Sequence, residues 1–110
     1  EMAKLRAARR IWTRIAEAFG ARGTAASMRL HGVTSRRMLS SRDAWVNILR
    51  NTAACFAGGV GGADIVTVRT FTEPMGRPAS LARRLARNTQ IIAQEESSLG
   101  RVMDPAGGAW

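Results

Sequence analysis

Residues 57–69, Ala-Gly-Gly-Val-Gly-Gly-Ala-Asp-Ile-Val-Thr-Val-Arg, constrain the fold of this chain more than any other stretch. An apolar pattern of helical period (Trp45, Ile48, Leu49, Thr52, Cys55 and Phe56) runs into it. The helix is expected to stop at Gly58-Gly59, because glycine reaches left-handed dihedrals without a Cβ penalty. A run rich in Ile, Val and Thr, Ala63 to Val68, emerges from the glycines. β-branched side chains pack well on a pleated sheet. A run apolar at nearly every position suits a strand covered on both faces, as in a parallel sheet. The middle of the chain therefore reads helix, tight turn, strand, half of a repeating α/β unit.

The flanks extend that unit. Met2, Leu5, Ala8, Ile11, Trp12, Ile15 and Phe19 recur three or four apart and predict a helix over 1–19, stopped by Gly20. Met28 to Val33 alternates enough for a short strand that ends at His31 and its neighbours. Asp43 is placed to N-cap the second helix. After the second strand, Pro78-Ala79-Ser80 opens a third helix that Gly100 ends. Arg101-Val102-Met103 is expected to begin a third strand, and Asp104 to Gly108 to turn. The order is α-β-α-β-α-(β), which implies crossover helices and parallel strands. Two or three strands cannot close a barrel, which takes about eight here. Alone, such a piece leaves its sheet edges open and the inner faces of its helices uncovered. Together with Glu1 at the start and Trp110 after a glycine pair, this reads as part of a longer protein, aggregation-prone in isolation.

Composition excludes several classes. With 45% hydrophobic and 23% charged residues in 110, the chain is no disordered tail. No apolar run approaches the roughly 20 residues of a membrane helix. The single cysteine, Cys55, rules out an internal disulfide and fits a reducing, cytoplasmic compartment. The net charge of +9 raises a nucleic-acid-binding reading. Against it, the arginines fall on several helix faces, and aromatics that could stack on bases are few.

The glycine stretch does not match a nucleotide loop. Asp64 stands where Gly-x-Gly-x-x-Gly from Gly59 needs glycine, and these glycines precede a strand where a phosphate cradle follows one. His31, the only histidine, lies where a parallel α/β fold gathers ligands. It reads equally as an acid, base or ligand contact and as a structural histidine bonded to backbone. Arg36, Arg37, Arg42 and Arg50 suit a phosphate-rich ligand such as coenzyme A, or a solvated surface. Glu73, beyond the second strand, could accept from a sugar hydroxyl or cap the third helix. No nucleophile–base pair and no set of residues at metal-ligand spacing is visible, so neither catalytic nor metal residues are assigned.

Taken together, Glu1-Met2-Ala3-Lys4-Leu5-Arg6-Ala7, Arg29-Leu30-His31-x-x-Thr34-Ser35, Asp43-x-x-x-Asn47-x-x-Arg50, Gly61-Gly62, Ala86-Arg87-Asn88-Thr89-Gln90, Glu95-Glu96-Ser97 and Asp104-Pro105-x-Gly107-Gly108 resemble the methylmalonyl-CoA mutase family over the whole chain. The resemblance implies a fold: part of an eight-stranded (β/α) TIM barrel, the acyl-CoA-binding domain, with residues 1–110 supplying an outer helix and two strand–helix units. It implies adenosylcobalamin in the parent enzyme, held on a separate domain by an Asp-x-His-x-x-Gly motif that this chain lacks. In catalytic members the first strand ends His-x-Gln-Thr-Ser. His31, Thr34 and Ser35 match and would contact substrate, but Val33 replaces the glutamine. The second strand there carries Gln-Ser and then His-Thr-Asn. Here Asp64-Ile65 and Thr67-Val68-Arg69 take their place, while Glu73 matches a glutamate that contacts the adenosyl ribose.

These departures, with Arg36-Arg37-Met38-Leu39 and Trp45-Val46-Asn47, resemble the small, non-catalytic subunit of heterodimeric bacterial mutases. The resemblance thus implies a structural partner of a catalytic large subunit in the isomerisation of methylmalonyl-CoA and succinyl-CoA, inactive by itself. A catalytic mutase for a different acyl group is the alternative, with Val33, Asp64 and Arg69 reshaping the acyl pocket. A basic nucleic-acid-binding module is a remote third.

Overall fold

The computed structural model describes residues 1–76 and 79–108. Three α-helices, α1 (Met2–Ala18), α2 (Val46–Val60) and α3 (Ser80–Glu95), alternate with strands β1 (His31–Val33) and β2 (Ile65–Thr67). Short 3₁₀ turns at Gly23–Ala26, Arg36–Met38 and Glu73–Met75 lie in the connections. The strands pair in parallel, His31 opposite Ile65, Gly32 opposite Val66 and Val33 opposite Thr67. This is the expected α/β architecture with parallel strands and α2 as the crossover between them.

α1 ends as its glycine predicts. Gly20 takes a φ of +89°, its N–H donates to the carbonyl of Glu17, and that of Ala21 donates to Ala16. These two bonds satisfy carbonyls the helix end would otherwise orphan. The apolar stripe is only partly used. Leu5 meets the turn at Gly61, but Ile11, Trp12, Ile15 and Phe19 are exposed, Phe19 at 89%.

The glycine stretch folds differently from its sequence reading. α2 continues through Gly58 and Gly59 to Val60, and the turn is confined to Gly61 and Gly62, the latter at φ +80°. Close packing explains the two helical glycines. A Cβ on Gly58 would stand 3.3 Å from Val66 Cγ2, and one on Gly59 3.1 Å from Leu99 Cδ1. They let α2 lie close over β2 and the chain beyond α3.

Other boundaries move too. Asp43 does not cap α2 with its side chain. It sits at φ +49°, and its carbonyl accepts from the N–H of Val46 in a turn ahead of the helix. β1 starts at His31, so this residue opens the strand instead of ending it, and Met28–Leu30 is a lead-in. β2 is not covered on both faces. Ile65 and Thr67 are exposed, and Val66, which meets Gly58 of α2, is half-buried. α3 stops at Glu95, ahead of Gly100, with Ser98 at φ +55° in the following turn. Arg101–Met103 forms bends and no strand, since it has no neighbouring strand among the described residues. The turn at 104–108 forms, with the N–H of Gly107 donating to Asp104 at 2.8 Å. Pro78, read as opening the third helix, lies outside the described residues.

The core is small and partly polar. Ala44, Phe71 and Ala82 are buried together, with Ile48 and Leu85 packed on them, and Trp45 stacks on Phe71 at 5.0 Å between centroids. The largest fully buried side chain is Asn47.

Candidate functional site at the strand ends

Polar side chains gather where both strands end, and α2 places them. Asn47 and Asn51 stand one helical turn apart on its buried side, so both face the extended segment that leaves β2. Asn47 Nδ2 donates to the carbonyl of Phe71 at 2.9 Å, and Asn51 Nδ2 to that of Arg69 at 2.8 Å. Carbonyls two residues apart point the same way along an extended chain, so the pair of amides matches them. Asn47 Oδ1 also accepts from the N–H of Ser40 at 3.0 Å and from Arg50 Nη1 at 2.9 Å, and Nδ2 donates to the carbonyl of Ser40 at 2.7 Å. Thus one buried amide ties the loop after β1, the helix and the segment after β2 together.

With its carbonyl held by Asn51, Arg69 turns to β1. Its backbone N–H donates to Thr34 Oγ1 at 2.9 Å and its Nε to the carbonyl of Thr34 at 3.0 Å. The N–H of Thr34 donates to the carbonyl of Thr67 at 3.0 Å. These bonds carry the pairing of the two strands past their regular ends. The far end of the same guanidinium reaches Glu73, Nη1 to Oε1 at 2.8 Å, and Arg36 Nε lies 3.8 Å from that oxygen. A planar guanidinium fork can bond in two directions at once, so Arg69 spans from β1 to the 3₁₀ turn after β2.

The residues assigned to ligand by resemblance do not converge on one point. Thr34 is buried in the seam between the strands, its hydroxyl committed to Arg69. Ser35 Oγ accepts from the N–H of Arg37 at 3.3 Å and caps the turn at 36–38. His31 belongs to the exposed sheet face, where its Nε2 lies 2.8 Å from Thr67 Oγ1. Among the described residues, Arg69 links Glu73 to Thr34.

Asp64, placed by the resemblance among lost ligand contacts, lies at the opposite end of β2. Its Oδ2 accepts from the N–H of Leu30 and from Arg9 Nη2, each at 2.6 Å. Those two bonds, the Leu30 amide foremost, hold its carboxyl below the usual carboxylate range. Arg9 donates further to the carbonyls of Met28 and Gly62, at 2.7 and 2.6 Å. The two side chains therefore bolt α1 to the start of both strands. Arg6 makes a two-pronged pair with Asp104, which joins the first and last of the strings quoted above.

The Asn47–Asn51 pair is the feature that the helical stripe of α2 did not disclose. Its signal was two amides, four apart, on the buried side of a helix; asparagine is a poor helix former and usually prefers caps and turns.

The class defined by these observations is a parallel α/β segment whose strand-end polar groups bond to one another. A family model described as methylmalonyl-CoA mutase matches residues 1–110. The methylmalonyl-CoA mutase small subunit of Streptomyces virginiae is 57% identical over 109 residues, covering 99% of this chain and 18% of that protein. That of Propionibacterium freudenreichii subsp. shermanii is 44% identical over 110 residues, covering 99% of this chain and 17% of the relative. The methylmalonyl-CoA mutase of Escherichia coli K12 is 39% identical over 110 residues, covering 99% and 15%. The chain belongs to the methylmalonyl-CoA mutase family, and it spans between 15% and 18% of the length of these relatives.

Toward the cofactor that the resemblance implies, the described residues offer His31 and Glu73, both already bonded within the fold. The one histidine is hydrogen-bonded to Thr67 within the sheet face, and no group of three His, Cys, Asp or Glu gathers among the described residues. Glu73 is already ion-paired. Cys55 is buried, and desolvation pushes its thiol up, away from the thiolate that chemistry needs. Among the described residues no helix is long and apolar enough to cross a membrane.

Proposed function

We propose that the whole protein carrying this segment is the structural small subunit of an adenosylcobalamin-dependent methylmalonyl-CoA mutase. It would work in the cytoplasm, paired with a catalytic large subunit. Residues 1–110 would be part of its (β/α)₈ acyl-CoA-type barrel, with the cobalamin domain elsewhere. The observation that carries this reading is Arg69. In catalytic members the corresponding position holds a polar group for ligand, by the resemblance given above. Here a guanidinium stands there and is spent on Thr34 and Glu73. A ligand competing for Glu73 must break a charge-assisted bond, about 1.5–3 kcal/mol by itself, and must also displace the guanidinium that bridges the strands. The small-subunit names of relatives at 57% and 44% identity support the same reading.

Turnover is the test. The whole protein, supplied with adenosylcobalamin and methylmalonyl-CoA, is expected to show no isomerisation alone and full activity once the large subunit is added. Isomerisation by the protein alone would overturn the proposal in favour of a catalytic mutase with an altered acyl pocket. Arg6, Arg9, Arg50 and Arg69, engaged within the fold, give the nucleic-acid reading no support.

A further inference from the structure

Asn51 has a polar atom that its surroundings leave unsatisfied. The residue is 3% exposed, and its Oδ1 is buried and accepts no hydrogen bond from the described residues. The amide cannot turn round to relieve this. Its Nδ2 must face the carbonyl of Arg69, which lies 2.8 Å away. Reversing the amide would set two acceptors against each other and leave that carbonyl orphaned as well. Oδ1 is therefore committed to the other side.

Asn51 also lines a pocket of about 10 Å³ between α2, the exit of β2 and α3, with Val68, Phe71, Leu85 and Thr89 among its other walls. That volume is about what the centre of one water molecule needs. It is too small for a larger ligand. A second polar atom is at hand on α3. Thr89 Oγ1 donates to the carbonyl of Leu85 at 2.9 Å, which leaves its lone pairs to accept. Buried acceptors in native proteins are nearly always satisfied, and a buried water needs two or more polar partners to be held.

We propose that one ordered water occupies this cavity, donating to Asn51 Oδ1 and to Thr89 Oγ1. The water completes the bonding of Asn51 and ties α3 to the helix that positions Arg69. Its site depends on the packing of α2, β2 and α3 alone and stands whether or not the small-subunit reading holds.

A high-resolution crystal structure of the whole protein tests it. A water peak within hydrogen-bond distance of both Asn51 Oδ1 and Thr89 Oγ1 is the expected result. A protein donor on Oδ1, or no density in the cavity, would overturn the proposal. Thr89→Val keeps the side-chain shape and removes the second partner. The variant is expected to lose the water, or most of its occupancy, and to melt at a lower temperature. An undiminished water peak with an unchanged or higher Tm would remove Thr89 from the site and overturn the bridge.

Discussion

Asn47→Ala in the whole protein is expected to free the segments that meet at the strand ends, with an opening free energy lowered by about 3–5 kcal/mol. The side chain is fully buried and bonds Ser40 on both its N–H and its carbonyl, Phe71 on its carbonyl and Arg50 on its guanidinium. Each buried backbone group left unpaired costs about 1–3 kcal/mol. The better helix propensity of alanine returns at most about 0.7 kcal/mol, so the loss dominates. Hydrogen exchange reads this directly, because the Ser40 amide is one of the donors. Its exchange is expected to accelerate by a factor of about 100 or more, since each 1.4 kcal/mol is tenfold. A change under about tenfold would show that the loops are held by other contacts.

Gly61→Ala is expected to detach α1 from the rest of the segment. The backbone of Gly61 is helical, φ −72° and ψ −4°. Conformational entropy alone would therefore favour alanine by about 0.4–1 kcal/mol. Space decides the sign the other way. The added Cβ would lie 2.8 Å from the carbonyl oxygen of Ala57, 2.9 Å from Leu5 Cδ1 and 3.1 Å from the Cα of Met2. Leu5 can swing aside, but the Met2 Cα is backbone of α1 and the Ala57 carbonyl backbone of the last turn of α2, so both α1 and that turn must shift. Overpacking of this kind costs about 1–3 kcal/mol. The expected result is a lower Tm for the whole protein and faster exchange of amides in α1, with those of α3 unchanged. A Tm raised by the substitution would mean that α1 and the Gly61 turn are not in contact.

Much of this architecture is legible in the sequence. The 3.6-residue period of Leu5, Ile11 and Ile15, and Gly20 behind it, place α1 to within a residue, because periodicity and a C′ glycine are local signals. The parallel pairing follows from strand, helix and strand in turn. Boundaries set by packing are not local. Gly58 and Gly59 look like helix breakers in a linear reading, yet they are helical because Val66 and Leu99 come close to them. Asp43 looks like a cap, but the following turn uses its carbonyl instead. The strands shrink to three residues each, since a strand is defined by its partner and only one pairing is made among the described residues.

The candidate site divides in the same way. His31, Thr34, Ser35 and Glu73 can be named from family strings, but what each one bonds to depends on residues elsewhere in the chain. Arg69 bonds Thr34 and Glu73 while Asn51 holds its carbonyl from the helix. Asp64 and Arg9, 55 apart in sequence, become partners only when α1 folds over the strand starts.

The claim at the centre is that the strand-end groups of this chain bond to each other in place of ligand. Calorimetric titration of the whole protein and of its Glu73→Gln variant with adenosylcobalamin, in the absence of any other subunit, tests it most directly. Glu73→Gln is expected to leave the titration unchanged, because Glu73 is held by Arg69. One-to-one binding that Glu73→Gln weakens would contradict the claim, for it would show that this carboxylate serves the cofactor and not the arginine beside it.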